Sequence, residues 1–215
     1  MAESENINEY NSWLQKYAPV ISLIGAVLMA VLWYVAVVID GHWMFGEETL
    51  SRLADTGRAG GIFFNIAAIE SGILVLFLAY SLRNVLTKNK ITKAASILMT
   101  AGLIFLTGVG LFPITTGLAH YICAIFCFVL LGFAVLLYTC SIIAKKRCDN
   151  ITKTEKHIMY ISAAFTGVYI LLCLMLALGI VIFPLAEALM VIDLLVWCCI
   201  VSVILYLHNS KVVYV

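Results

Sequence analysis

Six apolar stretches, at 18–39, 61–82, 94–112, 118–144, 158–183 and 185–207, leave this 215-residue chain few folds to adopt. An α-helix rises 1.5 Å per residue, so stretches of about 19 to 27 residues cross roughly 30 Å of hydrocarbon with some tilt. Lipid offers no partner to backbone N–H and C=O groups, and only helices satisfy the backbone internally at such lengths. The expected fold is therefore all-α, a polytopic membrane bundle of six transmembrane helices forming one domain over 1–215. Composition agrees, with 64% hydrophobic and 12% charged residues, against about 25% charged in a soluble domain.

Charge gives the bundle a direction. Of thirteen Lys and Arg residues, eleven fall before Ala18, between Arg83 and Lys93, between Lys145 and Lys156, or after Leu207. The alternate connections hold only Arg52 and Arg58. Short loops rich in Lys and Arg stay cytoplasmic, so the expected topology is N-in/C-in, with the Asp40–Gly60 connection outside and the protein multi-pass in the cell membrane. A net charge of +1 with scattered basic residues implies no nucleic-acid partner; the bilayer is the expected partner. The first apolar stretch follows an acidic segment with Glu3, Glu5 and Glu9, which reads as a retained span and not a cleaved signal peptide.

Seven cysteines could suggest a disulfide framework, yet six lie within apolar stretches and Cys148 within a basic loop, so they read as packing residues. The connections differ in length. Pro113 to Gly117 and Pro184 read as tight outer turns, making helices three and four, and five and six, antiparallel neighbours. Within the long first connection, Leu50, Leu53, Ala54 and Gly57 recur at helical spacing behind Thr49, a candidate cap; a short interfacial helix and an ordinary ordered loop both fit. Gly108, Phe112 and Pro113 repeat in Gly179, Phe183 and Pro184, as a duplicated hairpin or as convergent turn chemistry.

Polar residues inside the spans are the candidate functional groups. A charge at mid-bilayer costs at least about 2.5 kcal/mol on insertion scales, which singles out Glu70 and Asp193. Their expected depths are similar, so they could meet and share a proton or cation; alternatively each is a neutral acid bonded to a neighbouring helix. Nearer the outer surface, Asp40, His42, Glu47, Glu48, Ser51, Arg52, Asp55, Arg58, Asn65, His120, Tyr121 and Glu187 form a polar rim. Of these, Ser51, Asp55, Asn65, His120 and Glu187 are the ligand-binding candidates, with His120 as a clamp on the long loop or as a catalyst. His120, Cys123 and Cys127 share a helical face, but one face of one helix rarely supplies three metal ligands, so no metal is expected. Nor do His42, His120, His157 and His208 suit bis-histidine haem, and no cofactor is expected.

Leu50-Ser51 through Asp55-Thr56-Gly57 to Phe64-Asn65 and Gly72, followed by Gly110-Leu111-Phe112-Pro113 and His120, resembles the pattern of the prokaryotic membrane family called domain of unknown function 998. The resemblance implies a six-helix bundle in which Ser51, Asp55, Asn65, Pro113 and His120 form an outer cluster. That layout is distantly similar to the eukaryotic Frag1, DRAM and Sfk1 group, which is linked to lipid remodelling. No established activity follows. Three functions fit: an outer pocket for a small polar ligand, ion or lipid head group in a sensor or small transporter; an outer-leaflet lipid-modifying enzyme using His120, oriented by Asp55; or a structural subunit partnering another membrane protein.

Overall fold

The computed structural model describes residues 2–86, 89–148 and 151–212, with side chains described from Trp13 onward except at 147, 148, 211 and 212. Lys88 lies outside the described residues, as do the side chains of Glu3, Glu5, Glu9 and Cys148. The elements are α1 (Ala2–Asp40), α2 (Leu50–Leu53), α3 (Gly61–Leu74), α4 (Leu76–Val85), α5 (Lys90–Leu111), α6 (Leu118–Cys148), α7 (Lys153–Ala177) and α8 (Phe183–Val212), with a 3-10 turn at Ile114–Thr116. No strand occurs among the described residues. Among the described residues six helical spans are long and apolar enough to cross a membrane, α3 and α4 together making one of them. Short connections force antiparallel neighbours, and α1, α3, α5, α6, α7 and α8 pack in that order into a ring that closes where α8 meets α1. We call the end carrying the 41–60 connection the loop end, and the end carrying both chain termini the terminal end.

Small residues set the closest approaches. Gly72 of α3 lies against Thr107 of α5, and Gly110 of α5 lies against the Asn65 carbonyl of α3, where no Cβ would fit. In lipid such contacts supply packing that a hydrophobic driving force cannot. Below them a core of Leu78, Leu82, Met99, Leu103, Tyr138, Trp197 and Leu205 fills the terminal half of the ring.

Helix ends depart from the hydropathy boundaries in two informative places. The fifth span stops at Ala177, not Phe183, because Gly179 adopts φ +69° and lets Ile180 N–H reach back to the Met175 carbonyl at 2.9 Å. Pro184 then sits in the first turn of α8, where its missing N–H costs nothing. Phe112, in contrast, is the C-cap of α5, and Pro113 caps the 3-10 turn Ile114–Thr116 that follows. The two Phe-Pro pairs thus hold different places in their turns.

Polar pins close the terminal end. Pro19 inside α1 has no N–H for the Gln15 carbonyl, and Asn209 of α8 supplies the missing donor at 2.6 Å. Ser22 and Ser202 join the same two helices at 2.8 Å, and Trp197 Nε1–H donates to Ser162 Oγ of α7 at 3.0 Å. Asn89 caps α5 and bonds Ser141 of α6. Lys145 of α6 pairs with buried Glu155 of α7 at 2.8 Å, beside the Thr152 capping box.

Candidate functional site

The long connection folds over the loop end and is pinned there by its own charges. The Arg58 guanidinium grips both Glu48 oxygens at 2.8 and 2.9 Å and Asp40 Oδ2 at 3.2 Å, tying the end of α1 to the start of α3. Donating to Glu48 drives the Arg58 pKa further above the usual arginine value, with Asp40 adding to the effect against partial burial. Trp43 packs edge-on against Trp33 of α1 and donates Nε1–H to the Thr49 carbonyl at 3.0 Å. Thr49 caps the single turn of α2, accepting from Arg52 N–H at 3.2 Å, so a short helix forms in this connection.

A carboxylate from α8 completes that turn. Leu50 N–H donates to Glu187 Oε2 at 2.8 Å, and Ser51 Oγ lies 3.3 Å from Oε1. Glu187 is buried, about 6 Å along α8 from Phe183. Its two oxygens meet donors at the start of the α2 turn, where backbone N–H groups lack helical partners.

His120 sits on the other side of Ser51 and is fully buried. Its Nδ1 lies 2.7 Å from the Phe112 carbonyl and its Nε2 lies 2.9 Å from Ser51 Oγ. The Phe112 carbonyl is at the C-terminus of α5, where helical carbonyls lack backbone partners. A carbonyl only accepts, so Nδ1 carries a hydrogen; in the neutral ring Nε2 is then the acceptor for the Ser51 hydroxyl. Ser51 has one proton for two acceptors, His120 and Glu187. Given to His120, it leaves a hydroxyl poised for removal by an imidazole; given to Glu187, it requires a doubly protonated ring. Glu187, Ser51, His120 and the Phe112 carbonyl thus form one continuous hydrogen-bonded chain.

Two voids meet at this serine. A central cavity of about 100 Å³ runs inside the ring from Ser51 and Glu187 to Trp197. A groove of about 740 Å³ opens between α6 and α7, with Thr49, Ser51 and Glu187 at its loop end and Phe128, Phe133 and Ile170 among its walls. Ser51, Ala124, Phe128 and Glu187 line both. The groove follows α6 from Tyr121 to Leu136, about 22 Å of helix. Tyr169 crosses it and donates its hydroxyl to the Phe128 carbonyl at 2.9 Å, and Thr166 lines it with an Oγ1 that has no hydrogen-bond partner among the described residues.

The family question is answered by the stretch 23–204, which matches the model of the protein family of unknown function DUF998. The chain belongs to the DUF998 family. Searches of the curated proteins and of the solved structures found no match. This DUF998 member is an integral membrane protein with six membrane-spanning helices.

Among the candidate residues, Ser51, His120 and Glu187 come together in one hydrogen-bonded chain. Asn65 joins from below, donating Nδ2–H to the Ala54 carbonyl at 3.1 Å, directly after α2. Asp55 instead accepts Gly57 N–H at 2.8 Å in a turn of its own. The orienting partner of His120 is thus the Phe112 carbonyl and not Asp55. Both His120 nitrogens are engaged, and no set of three His, Cys, Asp or Glu ligands gathers among the described residues.

Glu70 and Asp193 stand elsewhere. Glu70 is on α3, which packs on α1 and α5; Asp193 is on α8, one turn from Met190 and Trp197 on the side packed against α7. The shared-proton expectation gains no support from this placement. Both Glu70 carboxyl oxygens are buried without a hydrogen-bond partner among the described residues, which also leaves the bonded-acid alternative without a bond. Neither acid lines the central cavity or the groove. Sequence reasoning missed the Phe112 carbonyl and the central position of Ser51. A signal existed for the latter: an acid one turn into α8 must find donors, and the Thr49-capped turn offers the nearest free N–H groups.

Proposed function

We propose that this protein binds one lipid at a time, its acyl chain in the α6–α7 groove and its polar head at Thr49, Ser51 and Glu187, with the loop end facing the exterior of the cell membrane. The groove carries this reading. It is long and mostly apolar, it runs between two spans, and Thr49, Ser51 and Glu187 gather at one end with Thr166 midway, a distribution that suits an amphiphile. The asymmetry of Lys and Arg supports the orientation. An ion or small-solute transporter would need polar groups down the centre, and there Ser51, Ser71 and Glu187 sit among Met29, Phe64, Leu103 and Trp197.

The test is lipid retention. Protein extracted in mild detergent and examined by intact-complex mass spectrometry should keep one lipid, and Ala124→Trp, which blocks the head of the groove, should lose it while remaining folded. Equal retention by the two proteins would sink the reading.

A further inference from the structure

We propose that Ser51 is an acyl-accepting nucleophile with His120 as its general base, and that the protein cleaves an ester-linked acyl lipid held in the groove. The inference rests on the lipid-binding reading for its substrate and on the geometry of the loop end for its chemistry. A nucleophilic serine needs a base within hydrogen-bond reach and a third group that orients the base. Ser51 Oγ stands 2.9 Å from His120 Nε2, and the Phe112 carbonyl, 2.7 Å from Nδ1, fixes the tautomer that leaves Nε2 free to accept. The base is fully buried, whereas Ser51 is partly exposed and lines both voids, so the nucleophile faces the substrate and the base stands behind it.

The reaction balances with water as the only co-reactant. Ser51 Oγ bonds the acyl carbon as its proton passes to His120 Nε2, and the carbonyl π pair moves onto oxygen. Collapse breaks the bond to the alcohol oxygen, which takes the proton back from Nε2, leaving acyl-Ser51. Water then gives a proton to Nε2 as its oxygen bonds the acyl carbon. Oγ departs with that proton, and a fatty acid leaves. Glu187 holds the α2 turn so that Ser51 stays between base and groove, which makes it a positioning residue.

A fluorophosphonate ester bearing an alkyl chain tests this on the full chain in nanodiscs. The probe should modify Ser51, identified by peptide mass spectrometry, and Ser51→Ala should abolish the adduct. His120→Gln should slow modification at least about 100-fold. Monodispersity and thermal unfolding establish that each variant is folded. No adduct on folded wild-type protein, or an unchanged rate in folded His120→Gln, overturns the proposal. Retained lipid with unmodified Ser51 defeats the chemistry alone; modified Ser51 without retained lipid defeats the groove alone.

Discussion

The two ends of the bundle solve the same energetic problem in different ways. Each places a buried acid of one helix against groups from elsewhere in the chain. At the terminal end Glu155 receives a cation, Lys145, together with Thr152 N–H at 2.9 Å. At the loop end Glu187 has no cation partner among the described residues and is met by the Leu50 N–H, the Ser51 hydroxyl and the Ser51 backbone N–H. An ion pair is a closed arrangement, with every proton assigned. A carboxylate, a hydroxyl and an imidazole in a row have one proton fewer than their acceptors can take, and that vacancy is what chemistry can use. The terminal end thus closes on an ion pair, whereas the loop end closes on a chain of hydrogen bonds.

The largest effect that would sharpen the contrast is Lys145→Ala. Glu155 is 2% exposed, and removing the cation leaves a buried charge short of its main partner, which costs about 3 kcal/mol. The measurement is thermal unfolding of the detergent-solubilised protein, and the loss should appear in the whole-bundle transition because α6 and α7 both feel it. A variant as stable as wild type would mean that the terminal end is not the closed half of the molecule.

Glu187→Ala comes next and should act locally. It strands the Leu50 N–H and frees α2, at about 2 kcal/mol, so the 41–60 connection opens roughly 30-fold more often. Limited proteolysis within that connection should accelerate by a similar factor while the unfolding transition of the spans barely moves. Parallel loss of both would show that the two ends are one cooperative unit and dissolve the comparison.

How much of this was legible beforehand depends on which force writes the feature. The six spans were legible because hydrophobicity is a bulk property that any window of residues reports. The cap at Thr49 was legible because it is a local hydrogen bond between neighbours in sequence. Gly179 was misread as interior to a span since its surroundings are apolar and only its φ of +69° shows the turn. Ser51, His120 and Glu187 were each singled out, yet their linkage was not, because their separations of 69 and 136 residues are set by how the ring closes. The Phe112 carbonyl had no signal at all, being a backbone atom, and Asp55 was assigned its task because side chains are what a sequence displays.

The smallest effect compares like with like, since both ends use a threonine cap. Thr152 caps the 25-residue α7 in a reciprocal capping box with Glu155, and Thr49 caps the four-residue α2. Thr→Ala at a cap costs about 1 kcal/mol when the cap is the main partner of the exposed N–H groups. Thr152→Ala should show that loss in the unfolding transition, because Glu155 N–H loses its acceptor, Thr152 Oγ1, and α7 frays from its start. Thr49→Ala should cost less, because Glu187 already holds the first N–H of α2, and should register only as faster cleavage of the 41–60 connection. If the ranking reverses, Thr49 and not Glu187 fixes the α2 turn, and Ser51 owes its position beside His120 to the loop's own hydrogen bonds instead of to α8.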